Sequence, residues 1–447
     1  MRFPPLRYLI LQFLLAAASL AFVFAADRGQ CADGNADALP PIRAITQGPK
    51  FHWFGYYDKQ QFDPTDRYVL GNEVAFEHRS PQADNAINVG MVDLEDGDHW
   101  IELGQTRAWN WQQGCMLQWL PRAESTVVWN DREDIAADED TGDTTQDKPK
   151  DKKEPRSRFV CHVLDVKSSQ RRTIGHPIYT ISPDGRWALA CDFRRLNDCR
   201  PGYGYAGIAD PNADVLAPAD SGIWKIDLAT GESKLIISLA DAARIDYGGG
   251  FPRGAKHWFN HLLISPDGQR FIFLHRWRGD GQRGFSTRLF TADADGGNLY
   301  VLDPHGRTSH FIWRDNQHVA AWAWHPSHQD RFYLFKDRTD EVEPIGPDVM
   351  TENGHNTYLP HTDSVWILND TYPDAKRLQH PYLFHVPTNR RLPLGHFHSP
   401  TEYQGEWRCD THPRSSRSGR YVCIDSPHDG GRQMYLIDVR EIVEPKR

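Results

Sequence analysis

The sequence predicts an all-β fold, a seven-bladed β-propeller whose blades are four-stranded antiparallel sheets. Strand–turn–strand units recur seven times along the 447 residues. Their spacing of roughly 40 to 60 residues is typical of propeller blades. Helix signals are scarce because 30 prolines and 35 glycines interrupt most candidate windows. The alternatives are a pair of β-sandwiches and a β-helix.

Each predicted blade consists of an inner hairpin followed by an outer hairpin. The inner hairpin alternates apolar and polar residues around a turn rich in Pro, Asp and Gly, as in HLLISPDGQRFIFL (261–274). Alternation with period two between such turns indicates strands. The outer hairpins span residues 89–103, 160–174, 222–237, 288–302, 331–345, 382–394 and 433–443. Residues 42–47 are expected to complete the last blade, which would close the ring and hide its sheet edges.

The first 25 residues resemble a signal peptide. A short basic start is followed by an apolar stretch, and small residues precede Ala26. We therefore expect a signal peptide at 1–25, a linker at 26–41 and the propeller at 42–447, in a secreted or periplasmic protein with no membrane segment after cleavage. The alternative is an uncleaved N-terminal membrane anchor. An acidic and then Lys-rich insertion, about 133–157, is expected to be disordered.

The net charge of −9 argues against a nucleic-acid partner. An anionic ligand has to be met by a local cluster of arginines and histidines instead.

Four successive blades carry a histidine at the same position relative to the first strand: His261, His310, His355 and His412. The first strands of a propeller line its central axis, so these side chains are expected to converge. Neutral imidazoles from neighbouring elements can hold a transition metal, which predicts a divalent cation such as Mn²⁺ or Zn²⁺. The alternative is that each histidine only makes hydrogen bonds across a wet channel.

Blades three and four supply a second set of polar residues, Tyr179, Arg195 and His275. A tyrosine beside an arginine can act as a base and then as an acid. An arginine or a metal can neutralise a substrate carboxylate and acidify the adjacent carbon. These groups suit β-elimination from a uronate. The alternative is that they pack the blade surface. The predicted substrate-binding residues are Gln113, Asn130, Arg194, Arg276, Tyr203 and Tyr205.

Several motifs resemble those of seven-bladed propeller lyases. They are FGYYDK (54–59), RPGYGY (200–205), HWFNHLLISPDG (257–268), FLHRW (273–277) and RCDTHPR (408–414). The chain looks like the group that includes the ulvan lyases and is more distantly similar to the oligogalacturonide lyases. The first resemblance implies Tyr179 and Arg195 as the catalytic pair, with Gln113 and Asn130 where those lyases have two histidines. The second implies His275 as the base and His310 and His412 as metal ligands, with Asp410 where that family has another histidine.

The leading hypothesis is an exported polysaccharide lyase that cleaves a uronate-containing anionic glycan by β-elimination. A metal or Arg195 would neutralise the carboxylate, Tyr179 or His275 would take the proton, and Tyr179 would protonate the leaving oxygen. The alternative is a non-catalytic propeller that binds glycans or partner proteins through the same face. The oligomeric state is left open.

Overall fold

The computed structural model describes residues 39–135 and 156–444, which form seven four-stranded antiparallel sheets arranged as a β-propeller. The predicted fold is confirmed. Blade one contains β2 (Phe51–Trp53), β3 (Tyr68–Val74), β4 (Ile87–Asp93) and β5 (His99–Thr106), while β1 (Ile42–Ala44) joins the last blade. Blade two contains β6 (Gln118–Trp119), β7 (Thr126–Ile135), β8 (Arg156–Asp165) and β9 (Arg171–Ile174). Blade three contains β10 (Thr180–Ile181), β11 (Trp187–Cys191), β12 (Gly222–Asp227) and β13 (Ser233–Ser238).

The remaining blades repeat the pattern. Blade four contains β14 (Lys256–Ile264), β15 (Arg270–Arg278), β16 (Ser286–Asp293) and β17 (Tyr300–Asp303). Blade five contains β18 (Phe311–Trp313), β19 (His318–His325), β20 (Gln329–Lys336) and β21 (Val342–Pro344). Blade six contains β22 (Thr357–Tyr358), β23 (Trp366–Asn369), β25 (Tyr382–His385) and β26 (Arg390–Pro393), and β24 (Leu378–Gln379) pairs separately with β27 (Phe397–His398). Blade seven contains β28 (Arg414–Ser415), β29 (Tyr421–Ser426) and β30 (Gln433–Asp438).

The ring is closed by the first strand, as the sequence predicts. Strand β1 pairs antiparallel with β30, so that Ile42 lies opposite Ile437 and Ala44 opposite Tyr435. Ile45, which follows β1, is fully buried in the core between blades. The outermost strand of blade seven therefore comes from the opposite end of the chain, and no edge of β30 is left unpaired along this stretch.

Helices in the described part of the chain are short. They are α1 (Phe193–Cys199), α2 (Leu239–Arg244) and α3 (Arg440–Val443), with 3₁₀ turns at Val386–Thr388 and Gly405–Trp407. Helix α1 lies in the long connection between β11 and β12. Among the residues described, no helix is long and apolar enough to cross a membrane.

The predicted signal peptide and most of the predicted linker lie outside the described residues, as do 136–155 of the predicted insertion. The ends of that insertion differ from the prediction. Residues 133–135 belong to β7 and residues 156–157 to β8, and the two strands pair as far as Ile135 opposite Arg156.

The segment that follows β2 fills the hub of the propeller. Phe54 and Gly55 donate backbone hydrogen bonds to Asp425 of blade seven. The hydroxyl of Tyr57 donates to the carbonyl of Phe311 of blade five, at 3.0 Å, and accepts from its N–H at 3.1 Å. A segment of blade one that touches blades five and seven must cross the axis, so we call Phe54–Lys59 the axial segment.

Candidate functional site

Three of the four predicted metal-binding histidines meet at the hub. His310, His355 and His412 precede the first strands of blades five, six and seven. The ring centroids of His310 and His355 are 4.2 Å apart, and those of His355 and His412 are also 4.2 Å apart. All three side chains are buried. Tyr57 of the axial segment packs against the three rings from one side.

The fourth histidine, His261, is held apart from this group by a bulge. The register of β14 against β15 shifts between Asn260 and Leu262, and His261 takes a positive φ of 52°. Its Nε2 lies 3.0 Å from Asp58, and its ring stacks on Phe311 at 3.9 Å. His261 therefore contacts the axial segment rather than offering a free nitrogen to the other three histidines.

An aspartate completes the group. Ligand atoms of His355, Asp410 and His412 lie within 4.8 Å of one another. The Nε2 of His412 is buried and has no hydrogen-bond partner among the residues the structure describes. His355 Nδ1 lies 2.9 Å from Asp370, which fixes the ring and leaves Nε2 as the outward nitrogen. We call His310, His355, Asp410 and His412 the histidine–aspartate cluster.

The protonation of the cluster suits a cation. Burial, reinforced by the neighbouring His355, holds the pKa of His310 and the pKa of His412 well below their usual range. Both imidazoles are therefore neutral at pH 7 and carry a lone pair. His412 also adopts a positive φ of 39°. Such a conformation in a residue other than glycine costs on the order of 1 to 3 kcal/mol.

The donor set fits a divalent metal. Imidazole nitrogens and a carboxylate oxygen are common ligands of Mn²⁺ and Zn²⁺. A buried nitrogen without a partner is costly unless something binds it. A bound cation would satisfy His412 Nε2, and Asp370 would orient His355 from behind.

An arginine–tyrosine pair stands beside the cluster. Arg408 donates through Nε to Asp410 at 2.7 Å and through Nη2 to the hydroxyl of Tyr203 at 2.7 Å. Burial opposes the charge of Arg408, but Asp410 and Tyr203 outweigh it and raise its pKa. The side chain stays 24% exposed, so a ligand can reach it. Tyr372 lies on the other side, with its hydroxyl 3.5 Å from His310 Nε2.

Two further arginines, Arg200 and Arg276, continue this group of side chains. Arg200 lies over the ring of Tyr203 at 3.9 Å and over Phe285 at 4.8 Å. Arg276 lies over the same Phe285 ring at 4.9 Å, and its buried Nη1 has no acceptor among the described residues. Predicted substrate-binding residues Tyr203 and Arg276, both buried, thus belong to one arginine-rich group of side chains.

The structure surrounds Tyr179 with protein. Its hydroxyl accepts a hydrogen bond from Gln113 at 2.6 Å, and its ring stacks on Phe193. Burial and the nearby Tyr56 raise its pKa well above the usual value, which disfavours the phenolate that the sequence analysis assumed. Lys59 of the axial segment, 4.8 Å from the ring centroid, is the cation that faces it.

Asn130 and Tyr205, both predicted to bind substrate, lie in the same interior. Asn130 Nδ2 donates to the hydroxyl of Tyr205 at 3.0 Å and to the backbone carbonyl of Ile178. Both side chains are fully buried, so their hydrogen bonds hold blades two and three together.

Arg195 anchors the connection between β11 and β12. Its five N–H groups donate to the Asp210 carboxylate and to the carbonyls of His257, Asn212, Val215 and Leu216. Arg194 instead pairs with Asp192, the residue that caps α1. Arg195 therefore stabilises this connection and does not pair with Tyr179.

His275 is enclosed together with a histidine that the sequence analysis did not single out. His275 Nε2 lies 2.9 Å from Nδ1 of His257, and its Nδ1 accepts from Arg288 at 3.3 Å. Burial and the charges of His257 and Arg288 hold the pKa of His275 well below its usual range. Both nitrogens are occupied, and no contact joins His275 to the histidine–aspartate cluster among the described residues.

Comparison with known proteins supports the fold. No family model matches the chain, and no curated protein matches it in sequence. Among solved structures, an oligogalacturonate lyase from Vibrio parahaemolyticus aligns with a TM-score of 0.61 and 13% identity, over 91% of this chain and 96% of that one. An oligogalacturonate lyase in complex with manganese aligns with a TM-score of 0.62 and 15% identity, over 91% and 95%.

These similarities show a shared propeller architecture over nearly the full length of the lyases. At such low identity they show the fold alone. The resemblance to ulvan lyases stays a prediction.

Proposed function

We propose that the protein is a polysaccharide lyase that cleaves an anionic, uronate-containing oligosaccharide by β-elimination with the help of a divalent metal. The observation that carries this proposal is the contact between the buried histidine–aspartate cluster and the partly exposed Arg408. A metal ligand set next to an arginine is the arrangement needed to hold a carboxylate. The manganese bound by a lyase of the same fold supports the choice of metal.

His355, Asp410 and His412 would hold the cation, with His310 as a further ligand. A bound divalent metal supplies positive charge that withdraws electrons from a substrate carboxylate and acidifies the C5 proton. Arg408 would bind the same carboxylate and stabilise the negative charge that develops during proton removal.

Tyr203 is the proposed proton carrier. Its oxygen accepts from Arg408, so negative charge on it is offset by the adjacent guanidinium. In this step Tyr203 acts as the phenolate: it takes the C5 proton, the electron pair of the C5–H bond forms the C4–C5 double bond, and the bond from C4 to the leaving oxygen breaks with its electron pair. The proton then passes from Tyr203 to that oxygen, which restores the phenolate. We assign this role to Tyr203 rather than Tyr179 because the hydroxyl of Tyr203 contacts the guanidinium of Arg408, whereas that of Tyr179 contacts the neutral amide of Gln113.

The test is the ultraviolet absorbance of the C4–C5 unsaturated product. Metal-free protein would be offered oligogalacturonates, ulvan fragments and glycosaminoglycan fragments, with and without added Mn²⁺ or Zn²⁺. We expect absorbance to rise with at least one uronate substrate and only in the presence of metal. An absence of product from every substrate with both metals would contradict the proposal.

A non-catalytic glycan-binding propeller is the second candidate. The enclosure of Tyr179, Arg195 and His275 favours it, because the catalytic residues implied by the resemblance do not face a shared opening. This function predicts saturable binding of uronate oligosaccharides without product, unchanged in Tyr203→Phe. Export to a secreted or periplasmic location remains a prediction from the first 25 residues.

A further inference from the structure

A cavity opens at the end of the hub opposite the histidine–aspartate cluster. It has a volume of about 640 Å³. His310, His355 and His412 precede the first strands of their blades, whereas the cavity is lined by turns that follow first strands. Arg122, His361 and Arg417 belong to three of these turns. A first strand runs from one face to the other, so the cavity lies on the face opposite the histidine–aspartate cluster.

The axial segment separates the two sites. Tyr57, Asp58 and Lys59 line the cavity, while the ring of Tyr57 also packs against His310 and His355. These residues are buried. The cavity is therefore a separate compartment, and a ligand in it would not touch the cluster.

The charges lining the cavity do not cancel completely. Lys59 is paired with Asp58 at 2.9 Å, and Arg414 with Asp425 at 2.8 Å. Arg417 uses Nε to donate to the Phe62 carbonyl, and within the described chain no carboxylate lies at ion-pair distance from its guanidinium. Burial lowers the pKa of Arg417, and the nearby charges of Asp63 and Asp66 offset only part of this effect.

One unsatisfied hydroxyl group accompanies this charge. The Thr357 hydroxyl is buried and has no partner among the residues described, although Thr357 lines the cavity. Ser415 and the rings of Tyr57 and Tyr358 supply further polar and aromatic surface. Arg122, an exposed residue, adds a second cation, and Glu124, which also lines the cavity, is paired with Lys167. Cations, hydroxyls and aromatic rings together match a small carboxylate that carries several hydroxyl groups.

We propose that this rear cavity binds a small polyhydroxylated carboxylate of the uronic acid class, with Arg417 and Arg122 as its anion-binding residues. The anion site follows from the cavity itself. Its assignment to a uronate rests on the proposed function, because a lyase acting on uronates would work among short acidic sugars of this kind.

The test is isothermal titration of the full chain with D-galacturonate, and with neutral D-galactose as the matched ligand. Arg122→Ala and Arg417→Gln should each raise Kd for galacturonate about tenfold, the usual effect of losing a hydrogen bond to a charged group. Arg253→Ala, a change at a highly exposed arginine elsewhere, should leave Kd unchanged. Because Arg122 is exposed, its variant remains informative if Arg417→Gln fails to fold.

The same titration on the double variant His355→Ala, His412→Ala separates the two sites. We expect rear binding to survive in this variant even though the metal ligands are gone, and to survive whether or not the wild type shows lyase activity. Absent binding, equal binding of galactose, or affinity that is lost with the histidines but insensitive to Arg122 and Arg417 would overturn the proposal.

Discussion

At the scale of single residues, the strongest indication of function comes from two unfavourable features of His412. It combines a positive φ of 39° with a buried Nε2 that has no partner among the described residues. Each feature alone costs free energy. Asp410 and His355 lie next to this nitrogen, and the three together supply what a cation needs. A bound cation, as proposed above, would satisfy the unpartnered nitrogen.

Tyr203 is the residue on which the proposed chemistry depends. Tyr203→Phe removes the hydroxyl that accepts from Arg408 and should lower kcat about a hundredfold or more, the usual contribution of a positioned acid–base group. Metal affinity should not change. Tyr205→Phe in the same connection is the matched control and should retain turnover. Equal activity of the two variants, measured by product absorbance, would exclude Tyr203 as the proton carrier.

At the scale of elements, the connection between β11 and β12 distinguishes a structural arginine from a catalytic one. Arg195→Met removes all five hydrogen bonds and leaves Asp210 buried without its partner. Breaking a buried pair in this way should lower the free energy of unfolding by about 3 to 5 kcal/mol. Urea denaturation measures this loss, with Arg253→Met as the exposed control. A stable variant that lacks activity would instead support the catalytic role implied by the resemblance.

The closing strand is a second element with a measurable contribution. A chain beginning at Gly48 lacks β1 and the fully buried Ile45, whereas one beginning at Leu39 keeps both. Loss of the Ile45 side chain alone should cost about 2 to 5 kcal/mol, and the unpaired edge of β30 adds to it. We expect a clearly lower Tm for the shorter chain. Equal Tm values would show that closure by β1 does not stabilise the ring.

Part of the hub follows from the sequence pattern alone. The period-two alternation of apolar residues predicts the fold. The shared position of the histidines relative to the first strands predicts that His310, His355 and His412 converge. His261 did not join them because a bulge in β14 redirects it, and no sequence period reveals a bulge. The sequence predicts that Tyr179 and Arg195 pair on blade three, and no sequence pattern predicts the contact between Tyr203 and Arg408, which are 205 residues apart in the chain.

At the scale of the whole molecule, buried neutral histidines link stability to pH. Burial, with Arg288 and Arg195 nearby, lowers the pKa of His257 from 6.5 to about 4. Below pH 6.5 the unfolded chain therefore binds a proton that the folded chain does not. The contribution of neutral His257 to the free energy of unfolding is complete above pH 6.5. It declines as the pH falls towards 4, by about 1.4 kcal/mol per pH unit for each such histidine.

Urea denaturation at pH 7 and at about pH 5.5 measures this dependence, and His257→Gln should reduce it. Stability that stays constant over the interval would show that the buried histidines are not neutral.

The proposed function depends most directly on the binding of one cation where blades five, six and seven meet the hub. Electron paramagnetic resonance of metal-free protein titrated with Mn²⁺ measures this binding. We expect one bound Mn²⁺ per chain in the wild type and in His318→Ala, whose histidine pairs with Asp315 away from the hub, and loss of that binding in His412→Ala. Wild-type protein that binds no Mn²⁺, or His412→Ala protein that binds it as tightly as the wild type, would contradict the account.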